Sequence, residues 1–138
     1  MNREILFKAK RKDNGEWVEG YYGKTRLGTD IKPSDVIFVP FKINRNEEWG
    51  WIKIDPETLC QYTGLIDKNG KKIWENDIVK CRKRKDGYDH YKVVWRKWYA
   101  DFGVEPLGFG VRFPFGIDFE NNKEIYGRDY EVVGNAFD

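Results

Sequence analysis

Apolar side chains in this chain recur at every second position and almost nowhere at the three-and-four spacing of a helix, which commits the chain to strands. Ile5, Phe7 and Ala9 alternate with polar neighbours, Asp13-Asn14-Gly15 supplies a turn, and Trp17 to Tyr22 returns, so the opening reads as a β-hairpin. Val36 to Ile43 is strand-like but carries Pro40, which places it at an edge or a bulge. Trp49, Trp51 and Lys53 fall on one face of the next strand and Ile52 and Ile54 on the other. Asp55-Pro56-Glu57-Thr58 ends that strand, with room for one short helical turn from Glu57 to Gln61. Gly23 to Ser34 reads as a surface loop. A second hairpin is expected from Asp77–Arg82 and Tyr88–Trp98, with Lys85-Asp86-Gly87 at its tip.

The longest alternation runs from Leu107 to Phe119, where Leu107, Phe109, Val111, Phe113, Phe115, Ile117 and Phe119 hold every odd position. All of these would point one way, opposite a face of glycines, Pro114, Arg112 and Asp118. Pro114 cannot donate to a ladder, so two short strands or one bent edge strand are expected. Phe109, Phe113, Phe115 and Phe119 then form either core or a surface for an oligomer or another partner.

At 138 residues, with 17% aromatic and 35% charged residues, the chain has material for a core and a solvated surface. The fold class expected is mainly β with at most short helices, and an SH3-like barrel is the architecture expected for the segment from Asp77 onward. One domain over 1–138, or two β subdomains meeting near 60–76, accommodates these elements. No apolar run approaches the ~20 residues of a membrane helix, so no membrane partner and a cytoplasmic location are expected.

Between these elements, Gln61 to Val79 reads Gln-Tyr-Thr-Gly-Leu-Ile-Asp-Lys-Asn-Gly-Lys-Lys-Ile-Trp-Glu-Asn-Asp-Ile-Val. Asp67-Lys68-Asn69-Gly70 is a tight-turn signal, flanked by Ile73, Trp74, Ile78 and Val79 as strand formers. The block resembles the YopX family, small proteins of phages and prophages of Gram-positive bacteria, whose pattern runs close to Q-[YF]-T-G-L-x-D-K-N-G-K-x-I-[YFW]-E-G-D-I-V. Gln61, Tyr62, Thr63, Gly64, Asp67, Asn69, Gly70 and Asp77 are the residues that carry the resemblance, as structural positions. Arg3 to Ala9, Trp17 to Tyr22 and the closing Val132-Val133-Gly134-Asn135 are similar to family segments as well. Asn76 replaces the Gly usual before Asp-Ile-Val, and Asn best tolerates the left-handed backbone that a Gly there implies. The resemblance implies a phage or prophage accessory protein in a bacterial host and names no reaction.

Chemistry-bearing residues are sparse. Cys60, Cys81 and His90 are too few and too irregularly spaced for a structural zinc site, and the two cysteines read as buried thiols. Glu75 and Asp77 share a strand face, but Asp77 suits a local turn better than catalysis, and no phosphate loop or catalytic triad can be assembled. No catalytic residue, cofactor or metal is therefore expected, and the chain is read as non-enzymatic.

Two binding roles stay open: a self-associating or protein-binding β module, with a homo-oligomer or a host or phage protein as partner, and a nucleic-acid module. For the second, Lys80, Arg82, Lys83, Arg84 and Lys85, with Arg96 and Lys97, interleave with rings, as a groove for phosphates and unpaired bases requires. Against it, the lysines could simply blunt a sheet edge, and Asp86 and Asp89 reduce the field. Trp49, Trp51, Trp95, Trp98 and Tyr99 are candidate surface anchors, although core placement is the ordinary fate of a Trp.

Overall fold

A computed structural model describes residues 4–40, 50–85, 87–118 and 123–138 of the chain. The protein is mainly β; buried apolar and outward polar side chains alternate at Cys60 to Thr63, whereas Val36 and Ile37, or Val93 and Val94, are buried side by side. Among the described residues no helix is long and apolar enough to cross a membrane. The chain divides into two units, Met1–Tyr62 and Thr63–Asp138. Trp49, Phe119 and Asp86, which the sequence singled out, lie outside the described residues.

In the first unit, β1 (Phe7–Lys10), β2 (Trp17–Thr25), β3 (Ser34–Val39) and β4 (Gly50–Lys53) form an antiparallel meander. The first residues of β5 (Cys60–Ile66) pair with β1, Phe7 opposite Gln61. Asn14-Gly15 makes the expected turn, with Gly15 at φ 73°. The second strand runs on to Thr25, beyond the expected boundary of the surface loop, because Gly23 to Thr25 pair with Ser34 to Val36. Pro40 ends β3, since it has no N–H for the ladder. Asp55 caps the 3-10 turn Pro56–Thr58, its Oδ1 accepting the Glu57 N–H at 3.1 Å. The core is Ala9, Ile37, Val39, Ile52 and Ile54.

In the second unit, the remainder of β5 pairs with β6 (Lys72–Trp74). β7 (Asp77–Cys81), β8 (Tyr91–Arg96), β9 (Asp101–Pro106), β10 (Phe113–Pro114) and β13 (Tyr130–Asn135) form a sheet in the order β10-β9-β8-β7-β13. A small pair, β11 (Ile117–Asp118) and β12 (Lys123–Glu124), follows β10. The last strand lies beside the first, and a 3-10 turn, Gly127–Asp129, leads into it, which is the strand order of an SH3-like barrel. Among the described residues no ladder joins β10 to β13, so backbone pairing does not close a barrel. Side chains span the gap instead. The Tyr130 hydroxyl donates to the Phe115 carbonyl at 2.7 Å, and its ring stacks on Phe115 with centroids 4.3 Å apart.

Three expectations need correction. The alternation after Leu107 yields two short strands, β10 and β11, as expected, but the side chains that precede them do not join the core: Gly108 adopts φ 82°, and Leu107, Phe109 and Val111 are exposed in a loop before β10 begins. Asp118, expected on a bare outer face, is buried. The second hairpin forms but is shorter than expected, β7 ending at Cys81 and β8 starting at Tyr91: Arg84 turns inward and Asp118 Oδ2 accepts the Lys85 N–H at 2.7 Å. Core placement holds for Trp74 alone among the described tryptophans. Trp51, on the outer face of β4, and Trp95 and Trp98 are exposed, and Trp17 is half-buried under Lys8 and Lys10.

Candidate functional site

The motif block is scaffold. Asp67 sits buried at the end of β5 and collects three backbone N–H groups: Asn69 and Lys71 donate to Oδ1 at 2.8 and 2.9 Å, and Val132 donates to Oδ2 at 2.9 Å. Burial opposes its ionisation, but these donors and nearby Lys71 outweigh it and hold the carboxyl below its ordinary value. Gly70, at φ 80°, closes the turn, and the Lys68 N–H reaches the Tyr130 carbonyl at 3.0 Å, so the turn is clasped to β13. Thr63 Oγ1 donates to the Ile73 carbonyl at 2.7 Å while accepting the Leu65 N–H, which fixes β5 at the φ 90° bend of Gly64. Tyr62 is buried and its N–H bonds the Leu6 carbonyl, while Gln61 holds a ladder position against Phe7.

Asn76 has the left-handed backbone that its place in the motif implies, φ 69°. Beside it, Asp77 Oδ2 accepts the Trp74 N–H at 2.7 Å and Oδ1 accepts the Asn135 amide at 3.0 Å, so the first and last strands of the sheet are joined by a buried polar pair. The closing Gly134-Asn135 of the chain thereby meets the motif block. Each Asp77 oxygen thus accepts a hydrogen bond that ties neighbouring backbone or side chain, the structural use expected of this residue. Among the described residues no group of three or more His, Cys, Asp or Glu is placed to hold a metal ion. Cys60 and Cys81 are buried thiols, and burial pushes the Cys81 thiol up.

The basic residues scatter into different roles. Arg84 is 5% exposed, donates to the Pro114 carbonyl and the Tyr130 hydroxyl, and lies against the Tyr91 and Phe113 rings at 5.4 Å each. Lys83 pairs with Asp129 at 3.4 Å and covers the Tyr126 ring. Arg96 grips Asp101 through two bonds of 2.7 and 2.8 Å, which holds the Asp101 carboxyl below its ordinary value. Lys97 lies over the Trp98 ring. Lys80, Arg82 and Lys85 are exposed and line one cleft with Arg84, Tyr88, Asp89 and His90, about 530 Å³ in volume.

The phenylalanines divide as well. Phe115 is core, Phe113 is half-buried on Arg84, and Phe109 is exposed but touches Tyr88, with ring centroids 5.1 Å apart. Two more exposed rings sit at the turn between β8 and β9. Trp98 is 86% exposed and Tyr99 71%. Below them the Arg96–Asp101 clamp closes the stem, the Arg96 guanidinium lies 4.2 Å from the Tyr99 ring centre, and Ala100 takes φ 53°. Their exposure follows from lying past the end of β8, a position that residue type alone does not reveal. The sequence named the four cations that line the cleft, but not which side of an irregular loop each of them takes.

No curated protein matches the chain significantly. The family model described as YopX protein matches residues 6–138, nearly the whole length. The chain belongs to the YopX family.

Proposed function

We propose that this chain is a non-enzymatic accessory module of a phage or prophage, working inside a bacterial host by protein binding, with its own copies as first partner. One observation carries the reading: the β8–β9 turn presents Trp98 and Tyr99 to solvent on a clamped stem. Rings fixed in advance lose little conformational freedom on docking, and Trp and Tyr are the side chains that dominate interface energies, at ~2 kcal/mol or more each when central. The left-handed Ala100 adds to this, since a non-glycine residue held there costs about 1–2 kcal/mol that the turn must offset.

Sedimentation velocity tests the reading. The wild-type chain is expected to sediment as an assembly at high micromolar concentration, and the double variant Trp98→Ala/Tyr99→Ala as a monomer with an unchanged far-UV circular dichroism spectrum. A wild-type chain that stays monomeric there would rule self-association out.

A further inference from the structure

The cleft beside β7 has a charge that the rest of the molecule lacks. Its described lining holds four cations, Lys80, Arg82, Arg84 and Lys85, against one carboxylate, Asp89, a net of +3 where the whole chain carries +2. Like charge concentrated on a concave wall focuses a field far beyond what net charge implies. The rim is also held in place. Asp118, buried behind it, fixes the Lys85 backbone at 2.7 Å, and Arg84 is locked beneath by the Pro114 carbonyl and the Tyr130 hydroxyl. Glu131, opposite Lys80 in the β7–β13 ladder, is engaged by Lys68 at 2.6 Å and also feels Lys80 and Arg82.

Aromatic surface borders the cations. Tyr88 lines the cleft, and Phe109, 54% exposed, lies against it at a tilt of 57°. Exposed cations beside an exposed ring are what a flexible polyanion with flat bases can use, whereas a duplex keeps its base faces stacked away from such a ring. We infer that this cleft binds a single-stranded nucleic acid, with Lys80, Arg82 and Lys85 on its phosphates and the Tyr88–Phe109 pair taking a base. The site is separate from the Trp98–Tyr99 turn, which lies past the opposite end of β8.

Fluorescence anisotropy with a labelled oligothymidylate of about 15 nucleotides, and a duplex of equal length, tests it in low salt. The wild-type chain is expected to bind the single strand more tightly than the duplex. Arg82→Ala/Lys85→Ala, which removes two exposed side chains, should weaken binding at least tenfold and flatten the slope of log affinity against log salt by about 1.4, at ~0.7 for each phosphate no longer neutralised. Phe109→Ala should weaken the single strand severalfold and leave the duplex unchanged. No binding at tens of micromolar protein, equal affinity for both forms, or an unaffected Arg82→Ala/Lys85→Ala variant would each overturn the assignment.

Discussion

Asp67 shows how much one carboxylate can organise. Its two oxygens have different tasks, Oδ1 holding the turn of its own hairpin and Oδ2 holding Val132 on β13. Asn could keep the first task but not the second, because one of the two terminal atoms becomes an NH₂ that faces another donor. Asp67→Asn is therefore expected to cost about 2–3 kcal/mol in urea unfolding, with Val132 N–H left unpaired. The pH dependence has a definite sign. A carboxyl held below its ordinary value in the fold stabilises fully above its unfolded pKa of about 3.9, and that contribution is lost as pH falls through the lower folded value. The gap between wild type and Asp67→Asn should therefore be constant near neutrality and narrow below about pH 4. A gap that widens on acidification would contradict the clasp. The turn itself was legible from Asp67 to Gly70, but the Val132 partner lies 65 residues away and no local pattern announces it.

At the scale of elements, β9 is shaped by what its glycine leaves out. A Cβ on Gly103 would meet the Arg96 side chain and the Phe113 carbonyl, each at 2.5 Å. The first neighbour is a flexible stem, but the second is backbone paired to β9 and cannot withdraw. Gly103→Ala is expected to destabilise by about 1–3 kcal/mol, and adding Arg96→Ala should recover only part of the loss. Full recovery in equilibrium unfolding would mean that β10 yields readily. Arg96→Ala alone should cost less, about 0.5–1.5 kcal/mol, because its partner Asp101 is half-open to water. The same neighbourhood marks where alternation stops being informative. From Leu107 to Phe115 the odd positions stay apolar, yet the flexible backbone at Gly108 lets the chain leave the sheet, and the pattern fixes the face only where a ladder exists. The run of cations fails as a single patch for a related reason: in the loop after Cys81, Arg84 turns inward, Lys83 turns to Asp129, and Lys85 stays on the rim.

Among the described residues two cores stand out, one in each unit. Ala9, Ile37 and Ile54 centre the first, and Val79, Val93, Val104 and Tyr130 the second. Each is built from its own meander, and strands buried on an apolar face set the free energy needed to open the amides around them. Ile37 is fully buried in the first, so Ile37→Ala should cost about 2–5 kcal/mol through lost burial and the cavity left behind. Hydrogen exchange followed by mass spectrometry shows how far that loss spreads. Peptides covering β2, β3 and β4 are expected to exchange faster in Ile37→Ala, while peptides covering β7, β8 and β9 keep wild-type protection. Val93→Ala should produce the reverse pattern, with the Asp77–Asn135 pair and its strands losing protection. If either substitution speeds both sets equally, the two units open as one cooperative block.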